Sequence, residues 1–130
     1  MSALPRKRNK HGVYIDAKGK LDRTMDGVVF DSLAELRRYR ELKLLQRAGQ
    51  IKDLRAHVKY PMAVNGQAIT SYEADFVYTD LAKNESYPVG RGRTVVEDVK
   101  GRKKNTDAFI IKKKLLLALH GITINEIRYL

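Results

Sequence analysis

Thr94-Val95-Val96-Glu97-Asp98-Val99-Lys100 decides how this chain is read. Its β-branched residues favour a strand, and a period of two turns Val96, Asp98 and Lys100 to one face and Val95, Glu97 and Val99 to the other. A carboxylate beside an ammonium on an otherwise apolar strand is costly to bury unless each is partnered, so the strand predicts a polar site within a sheet. Were the strand turned over, Glu97 would replace Asp98 as the acid and lose Lys100 from its face.

Working back, Ala68 to Tyr78 alternates as a second strand, and Ser71-Tyr72-Glu73-Ala74-Asp75-Phe76-Val77-Tyr78 sets Asp75 among aromatics that must be packed. Asn65-Gly66 is a tight-turn signal joining this strand to another, Ile51 to Tyr60, which leads to Pro61. The stretch Thr79 to Arg93, with Asn84, Pro88, Gly90 and Gly92, reads as loop. Before these strands, Leu33, Leu36, Tyr39, Leu42, Leu45 and Ala48 recur at three-residue steps after Ser32 and before Gly49, which predicts a helix over 33–48. Its apolar residues wander around the axis and leave the buried face unnamed.

Working forward from Lys100, Gly101 and the basic turn Arg102-Lys103-Lys104 lead into a second helix near Thr106 or Asp107. Ala108, Ile111, Leu115 and Ala118 would share one face, and Gly121 would close it. Ile122 to Tyr129 is the last strand. From residue 32 the order is helix, strand, strand, strand, helix, strand. The expected fold class is α/β (α+β mixed): a mixed sheet flanked by helices, in which the strand returning through the second helix lies parallel to a neighbour.

A chain of 130 residues is about one domain's worth. Residues 1–12, with Arg6, Lys7, Arg8 and Lys10 and almost nothing apolar, read as a flexible basic arm, and 13–130 as a single domain. Val13 to Ile15 and Val28 to Phe30, on either side of the polar stretch Asp16 to Gly27, suggest an accessory hairpin. No apolar run approaches the roughly 20 residues that cross a bilayer, and no apolar segment follows the basic start as in a secretory signal. Together with zero cysteines, this makes the cytoplasm the expected compartment and leaves oxygen or imidazole as the only ligands for a metal. A formal charge of +11, from 26 Lys and Arg against 15 Asp and Glu, predicts a polyanionic partner, most plausibly nucleic acid.

Two acids on adjacent strands can share a hard cation. Mg²⁺, for which Mn²⁺ would substitute, takes oxygen ligands, polarises a phosphate and lowers the pKa of its bound water. A nearby lysine can then act on that water and stabilise developing negative charge. The histidines, His11, His57 and His120, stand in the arm, in the first of the three strands and at a helix end, without metal-ligand spacing.

Glu35 on the first helix, Asp75, and Asp98-Val99-Lys100 resemble the E, D, (D/E)-x-K signature of the PD-(D/E)xK nucleases, and the element order resembles their restriction-endonuclease-like core. Phe30-Asp31-Ser32 with Glu35, Tyr72 to Tyr78, and Val95-Val96-Glu97-Asp98-Val99-Lys100-Gly101 are similar to a phage-borne uncharacterised family in that superfamily, over nearly the whole chain from residue 27. The pattern is also similar to the transposon endonuclease TnsA and, more loosely, to phage Holliday-junction resolvases. The resemblance implies a metal-dependent DNA endonuclease. Asp75 and Asp98 would bind the metal with the Val99 carbonyl, Glu35 would assist a metal or its water, and Lys100 would act on the nucleophile. It also implies a phage or mobile-element origin in a bacterial host, and as partners DNA, a second copy of the chain, and proteins of phage replication, recombination or packaging. Ala74 stands where the eponymous proline would be.

Each residue also has a plainer use. Ser32-x-x-Glu35 is equally a capping box, with Glu35 bonding back to the Ser32 amide. Arg102, Lys103, Lys104, Lys112, Lys113 and Lys114 could form an ordinary solvated face, but their place just after Lys100 makes them, with Arg6, Lys7 and Arg8, the candidate phosphate contacts. Three functions follow: a Mg²⁺-dependent endonuclease, a branched-DNA resolvase acting as a dimer, and a DNA-binding module whose acids are structural.

Overall fold

The computed structural model describes residues 5–82 and 92–129. In chain order these form α1 (Ala17–Asp22), β1 (Thr24–Met25), β2 (Val28–Val29), α2 (Leu33–Arg47), β3 (Ile51–Val64), β4 (Gln67–Asp80), β5 (Arg93–Gly101), α3 (Asp107–His120) and β6 (Ile124–Arg128). The expected order of helix, three strands, helix and strand is present from α2 onward. Asn84, Pro88 and Gly90 of the expected loop lie outside the described residues. No helix among the described residues is long and apolar enough to cross a membrane.

Asn65 and Gly66 both take left-handed backbone angles, φ 50° and 80°, as a type I′ hairpin turn requires, and they fold β3 antiparallel onto β4. The sheet order is β3-β4-β5-β6, with β4 and β5 antiparallel and β5 and β6 parallel across the α3 connection. Pro61 does not end β3, because β3 is an edge strand, where a missing N–H can face away from the ladder.

The two faces of β5 separate two cores. Val95 and Val99 pack in the α2 core with Phe30, Leu36, Tyr39, Leu42 and Phe76, whereas Val96 packs in the α3 core with Ala74, Phe109, Leu116 and Ile124. The β3–β4 hairpin serves both cores and changes side midway. Ala56, Phe76 and Tyr78 belong to the α2 core, but Val58, Tyr72 and Ala74 belong to the α3 core, although each set is evenly spaced along its strand. His57, at φ 56°, and Asp75 stand at that change of side.

On α2, Leu36, Tyr39 and Leu42 are buried, while the outer members of the expected series, Leu33 and Ala48, are exposed. On α3 the buried residues are Phe109 and Leu116, with Leu115 partly covered. The expected face of Ala108, Ile111, Leu115 and Ala118 is therefore not the core face. A helix apolar on most sides gives periodicity little to choose between.

The described residues of the N-terminal region make specific contacts. Arg8 bridges Tyr14, and the Ile15 amide donates to the Lys7 carbonyl at 3.0 Å. The polar stretch read as part of a hairpin contains α1, capped by Asp16, and the hairpin itself is reduced to β1 and β2. Arg23, 3% exposed, ties these pieces together: its guanidinium donates to the carbonyls of Phe30 at 2.6 Å, Gly19 at 2.9 Å, and Tyr14. Position 19 is buried and takes glycine, because a Cβ there would collide with the Tyr14 carbonyl oxygen. Gly19→Ala is accordingly expected to cost about 1–3 kcal/mol in urea denaturation, as overpacking against fixed backbone does. An unchanged midpoint would show that α1 does not close on Tyr14.

Candidate active site

Asp98 and Lys100 share the α3 face of β5, as the period of two requires. The Lys100 ammonium is 2.6 Å from Asp98 Oδ2 and 3.3 Å from the centre of the Phe109 ring on α3. That contact lies off the direction of a hydrogen bond, so Asp98 Oδ2 is buried with an ionic neighbour but no hydrogen-bond partner. Asp75 reaches across from β4, and its Oδ2 accepts the Val99 amide at 2.7 Å. Here the change of side in the hairpin has its use: it frees Asp75 from both cores and turns it toward β5.

Glu97 resolves the question of register. It lies on the α2 face, fully buried, where Arg38 grips both carboxylate oxygens at 2.8 and 2.7 Å and the Tyr78 hydroxyl donates to one of them. It serves the core, and Asp98 serves the cleft.

Glu35 enters from the first turn of α2. Ser32 caps the helix by accepting the Glu35 amide at 3.0 Å. The Glu35 carboxylate bonds back to the Asp31 amide at 3.3 Å, one residue earlier than a regular capping box. It is 3% exposed and still lines the cleft. The two readings of this residue are therefore compatible.

Glu35, Asp75, Asp98, Val99 and Lys100 thus border one cleft of about 610 Å³, with Asp31, Tyr72 and Phe109 also in its wall. Burial and the adjacent Glu35 charge, with Asp98 adding to them, hold the Asp75 carboxyl well above the usual carboxylate range despite its bond to the Val99 amide. Tyr72 is raised as well, chiefly by burial and then by Asp98 and Asp75, so its hydroxyl remains protonated near neutrality. Glu35, Asp75 and Asp98 bring three carboxylates to this cleft, oxygen donors of the kind a hard divalent cation takes.

Lys103, Lys104 and Lys112 border the same cleft, joined by Lys10 and His11 from the N-terminal stretch. Lys103 donates to the Lys10 carbonyl and lies 3.0 Å from His11 Nδ1. Burial and Lys103 lower the His11 pKa. Other candidate phosphate contacts are placed elsewhere. Lys113 pairs with Glu126 at 2.6 Å, Arg6 with Asp16, and Arg8 with the Tyr14 hydroxyl at 2.8 Å. Lys7, Arg102 and Lys114 are exposed outside the cleft lining.

Sequence reasoning missed Asp31, Tyr72, His11 and above all His57. Its position in the chain offers no metal-ligand spacing, yet β3 carries it to 3.7 Å from the Glu35 carboxylate. Glu35 raises the His57 pKa against the opposing effect of burial. A ligand pattern assembled from a strand and a distant helix start has no local signature.

Neither curated proteins nor solved structures gave a significant match to the chain. Residues 16–125 match the family model described as "Protein of unknown function (DUF1064)", a span that takes in Glu35, Asp75, Asp98 and Lys100. The chain, matched over well more than half its length, belongs to the DUF1064 family.

Proposed function

We propose that the protein is a divalent-cation-dependent endonuclease that hydrolyses phosphodiester bonds in DNA. The observation carrying this reading is the convergence of Glu35, Asp75, Asp98 and Lys100, from one helix and two strands, on a single lysine-rimmed cleft. In the notation of the resemblance drawn from the sequence, the residues that meet are those of the PD-(D/E)xK signature.

A bound Mg²⁺ or Mn²⁺ would polarise the scissile phosphate and make its water a stronger nucleophile. Asp75 and Asp98 would hold the cation, and Glu35 would orient a ligand or water from the side of α2. The Val99 amide fixes the Asp75 carboxylate, leaving its other oxygen for the site. Lys100, steadied between Asp98 and the Phe109 ring, brings positive charge to the attacking oxygen and to the phosphate as it gains charge. Lys10, Lys103, Lys104 and Lys112 neutralise flanking phosphates, which makes binding weaken steeply with salt.

Purified protein incubated with linear, flapped and four-way DNA is expected to cut in Mg²⁺ or Mn²⁺ and to stop in excess chelator. Asp75→Asn is expected to abolish cutting and to leave retention of DNA in a gel-shift experiment intact. Retention without cleavage under every divalent ion would assign a binding module instead. Paired symmetric cuts confined to four-way junctions would narrow the activity to junction resolution by a dimer.

A further inference from the structure

Glu35 has a second set of neighbours besides Asp75. One ligand atom each from Asp31, Glu35 and His57 lie within 4.8 Å of one another. The three come from the residue before the α2 cap, the first turn of α2, and the middle of β3. Asp31 lines the cleft, so the group opens to solvent on one side.

The imidazole carries the argument. His57 Nε2 is buried and, among the described residues, has no hydrogen-bond partner. At 3.7 Å from Glu35 Oε2 it is within ion-pair distance when protonated but beyond hydrogen-bond reach. That spacing is nearer to the separation of two ligands on one cation, since donors about 2.0–2.2 Å from a metal stand roughly 3–3.5 Å apart. The scaffold behind the ligands is fixed. The Asp31 amide donates to Glu35 at 3.3 Å, the Asp31 carbonyl accepts Asn9 Nδ2 at 2.8 Å, and the His57 ring packs at 5.7 Å from the Phe30 ring.

We propose that Asp31, Glu35 and His57 form a second divalent-cation site, and that its mixed oxygen and imidazole donors favour a transition-metal cation such as Mn²⁺, Co²⁺ or Zn²⁺, which accepts imidazole, over Mg²⁺. Asp75 and Asp98, all oxygen, suit a hard cation, so the cleft has two positions of different chemistry that meet at Glu35. Water completes the coordination at Asp31, where the cleft is open. The site stands on these three residues whether or not the protein cuts DNA.

Mn²⁺ titration of the full chain at pH 8, followed by electron paramagnetic resonance with detection of nitrogen coupling, tests this. Wild type is expected to show nitrogen-coupled Mn²⁺, and Asp98→Asn to retain it. His57→Ala is expected to lose the nitrogen signal. Asp31→Asn, at an exposed position that folding tolerates, is expected to weaken that Mn²⁺ at least about tenfold while Mg²⁺ competes poorly in wild type. Absence of nitrogen coupling in wild type, or its persistence in His57→Ala, would overturn the proposal. Nitrogen-coupled Mn²⁺ in a protein that cleaves no DNA would uphold this site and sink the nuclease reading alone.

Discussion

Lys100→Met is expected to lower DNA cleavage by about 10²–10⁴-fold, the range over which a positioned proton-transfer or charge-stabilising group acts. Methionine keeps an unbranched stem against the Phe109 ring and removes only the ammonium that sits 2.6 Å from Asp98 and 3.3 Å from the ring centre. The carboxylates of Asp75 and Asp98 remain, so Mn²⁺ binding and DNA retention should survive in the same preparation. Single-turnover cleavage at saturating Mg²⁺ measures the loss. A reduction of less than about tenfold would take Lys100 out of the chemistry and leave it as the partner that makes burial of Asp98 tolerable.

Glu97→Ala, one residue before the site, is expected to act on the other face of the sheet and in a different way. Glu97 is fully buried and holds Arg38 through two hydrogen bonds, with the Tyr78 hydroxyl as a third donor. Removing it strands a guanidinium whose side chain is 17% exposed and whose remaining anionic partner is Glu41 at 3.0 Å. Breaking one side of such a pair costs about 3–5 kcal/mol, because the surviving charge stays buried. In a chain of this size that is a fall in Tm on the order of 10–20 °C. Replacing both Arg38 and Glu97 with leucine should recover much of the loss, because no lone charge is then left inside. A single variant as stable as wild type would show that Arg38 simply turns out to water.

The contrast between Asp98 and Glu97 shows how much of this protein is written locally. Their division between two faces follows from a strand's period of two, and the return of β6 beside β5 follows from a helix lying between them. Asn65-Gly66 marked the hairpin because few other pairs accept two left-handed residues in succession. What stayed hidden depends on contacts distant in the chain. α1 spans six residues, too few for a period to emerge, and is held by Arg23 on backbone carbonyls that only the folded chain presents. The core face of α3 is chosen by what it packs on, since its sequence is apolar around most of the axis. His57 reaches Glu35 because β3 changes side at that residue, a backbone event that alternating side chains do not announce. Glu35, Asp75, Asp98 and Lys100 were thus visible as a set, and Asp31 and His57 beside them were not.

The hairpin's midway change of side divides it into two lengths with different freedoms. Between His57 or Asp75 and the base of the hairpin, gaining or losing a single residue would rotate a cleft ligand out of place. Beyond them, toward Asn65-Gly66, the strands run about 30 Å from Asp75, given nine residues at some 3.4 Å each. Residues added in matched pairs there keep every inward side chain inward. Val58, Met62, Tyr72 and Ala74 still pack on α3, but the exposed tip from Ala63 to Ile69 is a spacer whose reach can change without retuning the chemistry at its foot, and it is the natural attachment point for a reporter or a fused domain.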